Sequence, residues 1–271
     1  MAKSQNKKKM KISLIIPAYK QEKTIVKDIQ KIVYVLSHLQ THTYEVIVVV
    51  DGEVDKTFLK AKQMVSRRIK VIGYPHNHGK GYAVRYGMTH AKGDIIAFLD
   101  AGMDLDPQGL VSLLETMQAY DADIVVGSKL HPSSQVIYPW QRKILSWGYR
   151  SFVKIFFGLS LRDTQVGMKL FKRRVLVTVL PRLLVKSYAF DIEILAVAHH
   201  LGYAKIYEAP ITLTFNHWSS ITSTNFWRPI IHMLWDTSAV YYRLHILRYY
   251  DNKSKRKWKY DPELKFRVNL G

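Results

Sequence analysis

The sequence has no cysteine in its 271 residues. Disulfides, cysteine-ligated zinc and thiol catalysis are therefore excluded, and a reducing, cytosolic compartment is the expectation. Long apolar runs are missing too. Every apolar stretch is broken by Arg, Lys, His or Asp within about ten residues, and none approaches the roughly 20 residues of a spanning helix. The first apolar run, Ile12 to Pro17, is a strand long and too short for a signal-peptide core. Acid is scarce, with 21 Asp and Glu against 41 Lys and Arg, so the formal charge is +20. An excess of that size calls for an anionic partner. No helix-turn-helix, zinc-finger or RNA-binding signature accompanies it, so nucleic acid is not the expected one.

What is present is core-forming residues, 48% hydrophobic with 12% aromatic, enough to exclude a disordered basic tail protein. Ile12 to Pro17 reads as a strand, and Glu22 to Leu39 as a helix with Ile25, Ile29, Ile32, Val33 and Leu36 on one face. The alternation continues with strand Tyr44 to Val50, helix Lys56 to Ser66, strand Arg68 to Gly73, helix Gly81 to His90 and strand Asp94 to Leu99. A helix from Asp106-Pro107 to Tyr120 and a strand from Ala122 to Gly127 follow. Continuous apolar strands alternating with helices predict an α/β fold whose mostly parallel central sheet is covered by helices on both faces. Ligands bind such sheets beyond the carboxyl ends of the strands, where Pro17, Asp51 and Asp100 stand.

From Ile124 to Phe190 the chain has twelve Lys or Arg and a single acid, Asp163. Within that stretch Trp140 to Gly158 interleaves Trp, Ile and Phe with Arg142, Lys143, Arg150 and Lys154, the pattern of an amphipathic cationic helix. A second aromatic helix is expected from Phe226 to Tyr250, running into the basic string Lys253 to Lys259. The expected organisation is a basic tail over 1–10, one domain over 11–222, and an amphipathic helix with a basic tail over 223–271.

Four strings carry chemistry. Pro17-Ala-Tyr-Lys-Gln-Glu22 is either a plain strand-to-helix turn, with Glu22 favouring the helix dipole, or part of a ligand site. Asp51-Gly-Glu-Val-Asp55 offers a carboxylate to a base or ribose, or else Asp55 as a helix cap. Asn77-His-Gly-Lys80-Gly-Tyr-Ala-Val-Arg-Tyr-Gly87 is like a phosphate cradle, but no Ser or Thr follows Lys80 and the P-loop pattern is not met. Asp100-Ala-Gly-Met-Asp104-Leu-Asp106 clusters carboxylates without Cys or His, as suits Mg²⁺ or Mn²⁺ holding phosphates; a capped turn accounts for Asp106 but not for Asp100.

Taken in order, and with Asp163-Thr-Gln-Val-Gly-Met-Lys-Leu-Phe171 added, these strings resemble family 2 glycosyltransferases of GT-A fold, more narrowly the polyprenyl-phosphate hexosyltransferases of the dolichyl-phosphate glucosyltransferase and mannosyltransferase group. The resemblance runs over about residues 10–222. It implies nucleotide-sugar binding by Pro17, Ala18, Tyr19, Glu22, Asp51, Lys80, Asp100 and Ala101. It also implies a metal at Asp100. Where such enzymes have Asp-x-Asp this chain has Gly102, so Asp104 is expected to share the ion, and Val50 replaces the first acid of the usual Asp-Asp-Gly. Lys129, Arg142 and Lys186 match positions that bring cations to phosphates, and Asp191 matches the position of a base.

Asp191, Asp100 and Arg142 are thus the expected catalytic residues. The implied reaction moves a hexose from a nucleotide sugar of UDP-glucose or GDP-mannose type to a polyprenyl phosphate, with inversion and with Mg²⁺ or Mn²⁺. The implied place is the cytoplasmic face of an anionic membrane, held peripherally. The alternative acceptor is a saccharide, lipid or protein hydroxyl, which needs Asp191 as general base; a phosphate acceptor is already ionised.

Overall fold

The computed structural model describes residues 9–102, 104–136, 140–187, 189–213, 227–251, 258–262 and 266–269, with backbone alone for 136, 140–147, 227–231, 258–261 and 266–269. In chain order its first half runs β1 (Met10–Ala18), α1 (Ile25–Ser37), β2 (His42–Asp51), α2 (Thr57–Lys62), β3 (Ile69–Tyr74), α3 (Lys80–His90), β4 (Ile95–Leu99) and α4 (Gly109–Ala119). The second half runs β5 (Ile124–Ser128), β6 (Gln135–Val136), α5 (Trp140–Phe157), β7 (Met168–Lys172), α6 (Arg173–Val179), α7 (Phe190–His200), β8 (Ile206–Pro210), β9 (Thr212–Leu213) and α8 (Trp227–Tyr241). One π-helical turn, Tyr242–Ile246, extends α8, and β10 (Trp258–Asp261) pairs antiparallel with β11 (Phe266–Asn269).

Among the described residues seven strands form one sheet in the order β3-β2-β1-β4-β7-β5-β8. β7 alone runs antiparallel to its neighbours β4 and β5, and the other pairs are parallel. The mostly parallel sheet expected from the sequence is present.

Both faces are covered, which is why the strands read as unbroken apolar runs. Ile15 of β1 points into one core with α3, α6 and α7, while Ile12, Leu14 and Ile16 point into the other with α1 and α4. Helix α1 forms because Ile25, Ile29, Ile32 and Leu36 repeat at helical spacing and are all buried. It starts later than the expected Glu22, since Gln21 O accepts the N–H groups of Thr24 and Ile25 in a turn that holds Glu22 outside the helix. Asp106 proves to be a turn cap, its carboxylate accepting the Gln108 N–H at 3.0 Å.

The C-terminal segment contributes to the first core through Val240, Leu244, Tyr249 and Tyr250. The Tyr250 hydroxyl donates to buried Glu193 on α7 at 2.7 Å, and the same carboxylate accepts the N–H groups of Leu184 and Val185 at 2.9–3.1 Å. The basic string Lys253 to Lys259 lies mostly outside the described residues.

Candidate active site

The carboxyl ends of β1, β2 and β4 deliver Ala18, Asp51 and Asp100 to one edge of the sheet, because all three strands are parallel and in register. Pro17 and Ala18 are buried there in the last turn of β1, and Tyr19 projects with 42% of its surface exposed. The first two loops are tied together. Gln21 N donates to Thr57 Oγ1 at 2.8 Å, Glu22 N to Asp55 Oδ2 at 3.3 Å, and the Glu22 carboxylate accepts the Lys56 N–H at 3.2 Å. Asp55 also accepts the Thr57 N–H at 2.9 Å, so it caps the start of α2.

Asp51 organises the next loop. Its buried carboxylate accepts from Asn77 Nδ2, His78 N and Gly79 N at 2.8–3.0 Å, fixing the turn from which α3 and Lys80 begin. Lys80 then lies at the centre of a chain of charges. Its Nζ donates to Asp100 Oδ2 at 2.8 Å and to Asp191 Oδ2 at 3.1 Å, and Asp191 Oδ1 accepts from Lys169 Nζ at 2.5 Å. Lys169 is fully buried on β7 and also donates to Val166 O at 2.6 Å. Burial opposes the charge on Lys80, but the Asp100 and Asp191 carboxylates outweigh it and hold its pKa above the ordinary lysine value.

The string Asp163 to Phe171 now has a physical reading, residue by residue. Asp163 accepts the backbone N–H of Lys129 at 3.2 Å and stands 3.6 Å from its ammonium. Gly167 leaves the space that Asp100 fills, and its carbonyl accepts the Asp100 N–H at 2.9 Å. Lys169 clamps Asp191. Sequence reasoning quoted this string but gave Lys169 and Gly167 no role. It missed Asp28 on α1 altogether. The buried Asp28 Oδ2 accepts the Gly102 N–H at 3.0 Å and the Thr24 hydroxyl at 3.1 Å, steadying the Asp100 to Asp104 loop from a different element.

Of the proposed metal ligands, Asp100 fits a hard cation best: its Oδ1 is buried and has no hydrogen-bond partner. Asp104 is exposed at the other end of the loop, and Gly102 between them has φ +111°. Among the described residues no group of three or more His, Cys, Asp or Glu is assembled around a single point. Ala101 is half-buried next to Asp100.

Of the expected phosphate-binding cations, Lys129 faces a cavity beside α5. Lys186 is exposed, with its Nζ 5.7 Å from the Tyr82 ring centre, and its carbonyl accepts the Gly81 N–H at 2.9 Å. The backbone at Arg142 lies in α5, but its side chain is outside the described residues. Val50 is fully buried between β1 and β3, so the position where the resemblance implies an acid belongs here to the core.

Residues 13–180 match the sequence family Glycosyl transferase family 2. The chain is similar to a dolichyl-phosphate beta-glucosyltransferase of Drosophila melanogaster, 31% identical over 236 residues that cover 80% of this chain and 71% of the other. It is also similar to the enzyme of that name from Homo sapiens, 29% identical over 80% of this chain and 70% of the other. In fold it is similar to glucosyl-3-phosphoglycerate synthase from Mycobacterium tuberculosis, solved with Mn²⁺ and UDP-glucose, with a TM-score of 0.61 and 19% identity over 96% of this chain and 86% of that one. Mannosyl-3-phosphoglycerate synthase from Rubrobacter xylanophilus gives a TM-score of 0.65 at 15% identity, over 94% and 82%.

Proposed function

This chain belongs to glycosyl transferase family 2, and from that premise we propose that it transfers glucose from UDP-glucose to a polyprenyl phosphate of dolichyl type, inverting the anomeric centre. The transferred glucose and the acceptor follow the names of the similar glucosyltransferases, and the choice of UDP-glucose follows the donor bound in the structurally similar glucosyl-3-phosphoglycerate synthase. The observation that carries the acceptor class is the state of Asp191, each of whose oxygens already accepts a lysine ammonium. A carboxylate so engaged is badly placed to take a proton from a sugar hydroxyl. A phosphate monoester needs no such base.

In this reaction an acceptor phosphate oxygen attacks the anomeric carbon. The bond from that carbon to the donor's diphosphate oxygen breaks, and its electron pair leaves with the nucleoside diphosphate. Lys80 supplies fixed positive charge beside Asp100, where the leaving group's charge develops. Pro17, Ala18, Tyr19, Glu22, Asp51 and Ala101 form the nucleotide side of the site, and Lys129, Arg142 and Lys186 the acceptor side. Asp100, with Asp104 as its partner, would hold Mg²⁺ or Mn²⁺, which draws negative charge from the donor diphosphate.

A peripheral seat on the cytoplasmic face of a membrane completes the reading. No helix among the described residues is long and apolar enough to cross a bilayer. Ile155 on α5 is 76% exposed, and Trp235, Tyr242 and Ile246 follow one another at helical spacing with 75%, 51% and 63% exposed. His245 contacts the Phe156 carbonyl at 3.1 Å, which joins the two helices on one surface. Apolar side chains beside Lys154 and Arg248 are what an anionic headgroup layer receives.

The test is transfer of labelled glucose by the purified protein to dolichyl phosphate in phosphatidylserine-containing vesicles with Mn²⁺ or Mg²⁺. A labelled lipid product is expected from dolichyl phosphate and none from dolichol. Equal labelling of both, or of neither, would overturn the reading.

A further inference from the structure

A cavity of about 210 Å³ lies between the loop after β5, helix α5, the loop that begins at Leu161, and α8. It is smaller than the roughly 300–1,000 Å³ that encloses a whole drug-sized ligand, so it suits one end of a longer molecule. Among the described residues three cations line it, Lys129, Arg150 and Arg162, against one carboxylate, Asp163. Asp163 is already committed to the N–H groups of Lys129 and Gln165 at 3.1–3.2 Å. The balance of two positive charges matches a phosphate monoester, which carries about −1.5 to −2 at pH 7. Val153, Leu161 and Met233 give the same cavity an apolar share of its lining.

The cavity adjoins the reaction centre. The segment that lines it up to Gln165 continues within four residues to Gly167, which touches Asp100, and Lys169, which holds Asp191. On its floor the Tyr149 hydroxyl accepts from Gln165 Nε2 at 3.0 Å and meets Thr237 Oγ1 at 3.2 Å. That phenol is pushed up to about 12, by burial first and then by the charge of Asp191, so the two groups share one electrostatic neighbourhood.

We propose that this cavity receives the phosphate-bearing end of an isoprenoid phosphate, with Arg150 and Arg162 gripping the phosphate beside Lys129 and the first carbons of the chain lying against Val153, Leu161 and Met233. The proposal rests on the polyprenyl-phosphate reading and adds two acceptor-recognising arginines to it. Both are exposed at the rim, so replacing them leaves the core intact.

The test is made on the full chain with wild type, Arg150→Ala and Arg162→Ala. Farnesyl phosphate, farnesol and inorganic phosphate serve as probes in calorimetry, and dolichyl phosphate as acceptor in the transfer assay. Farnesyl phosphate should bind wild type at least about tenfold more tightly than farnesol or phosphate, and each variant should lose about tenfold, the size of one charge-assisted hydrogen bond. The KM for dolichyl phosphate should rise similarly while that for UDP-glucose stays put. Unchanged farnesyl phosphate binding in both variants overturns the proposal, as does inorganic phosphate binding as tightly as the lipid analogue. Variants that lose farnesyl phosphate in a protein showing no transfer support the cavity and refute the polyprenyl-phosphate reading. Normal transfer with unaltered variants does the reverse.

Discussion

A Cβ added to Gly167 would fall 1.8 Å from Asp100 Oδ2, closer than any two such atoms approach. Gly167→Ala must therefore push the Asp100 side chain from its place beside Lys80. The expected result is a fall of about a hundredfold in kcat/KM for transfer, the usual consequence of misplacing a reacting-site group by about 1 Å. Thermal melting should change little by comparison. Activity near wild type would show that Asp100 is not needed where it stands.

Lys169→Met tests the buried end of the charge chain. Lys169 has no exposed surface and its ammonium is 2.5 Å from Asp191. Removing one partner of a buried pair costs up to about 3–5 kcal/mol when the other charge is left uncompensated. Here Lys80 still holds Asp191 Oδ2 at 3.1 Å, so about 3 kcal/mol is the expected size. Urea unfolding should reveal a loss of that order. Lys169→Met with Asp191→Asn should be more stable than the two single losses added together.

The pH–rate profile separates the acceptor classes. With dolichyl phosphate the acid limb should track the second ionisation of the phosphate, near about 6, and persist in Asp191→Asn. Disappearance of that limb in the variant would restore Asp191 as a general base and with it the hydroxyl acceptor.

Asp28 acts on the same loop from behind. Asp28→Ala removes the acceptor of the Gly102 N–H, whereas Asp28→Asn keeps an oxygen there. The alanine variant should therefore raise the KM for the donor and for Mn²⁺ by several-fold, on the order of one hydrogen bond, and the asparagine variant by less. Equal effects would mean that the charge of Asp28, and not its bond to the loop, is what matters.

Glu45 governs part of the acid stability. Burial favours its neutral form, but Lys11 Nζ, Ser13 Oγ and Lys92 N, all at 2.6–2.8 Å, more than offset this and hold its pKa below the ordinary glutamate value. A depressed folded-state pKa contributes stability that is present above the unfolded value and lost as the pH falls through the folded one. Chemical denaturation from pH 7 downward should show the advantage of wild type over Glu45→Gln shrinking across that acid window. A pH-independent difference would assign the effect to packing.

The parts of this molecule that could be read from its sequence are those whose pattern is local. β1, β2 and β4 are continuous apolar runs, and α1 repeats Ile25, Ile29, Ile32 and Leu36, so burial on both faces of the sheet follows from spacing alone. Asp51, Lys80 and Asp100 were legible as neighbours because their strings follow the parallel strands β2, β3 and β4, whereas Asp191, in the first turn of α7, was singled out only through the family resemblance. β7 was not legible, since Lys169 in the string Met-Lys-Leu-Phe-Lys looks like a solvent-facing residue. Its partner Asp191 lies 22 residues on, and nothing local announces that it will be there. Asp28 is hidden for the same reason. A carboxylate on a helix reads as surface until the fold brings Gly102, 74 residues away, against it.

The bond between Tyr250 and Glu193 also has a consequence in time. During synthesis the sheet, Lys80 and Asp191 all leave the ribosome well before residue 250. Until that tyrosine arrives, the buried Glu193 lacks its hydroxyl donor, and the Leu184–Val185 backbone that leads to Lys186 hangs on a carboxylate short of one bond. A nascent chain that already carries every charged group of the site therefore finishes assembling it only when its last helix has folded back, so the molecule becomes competent late.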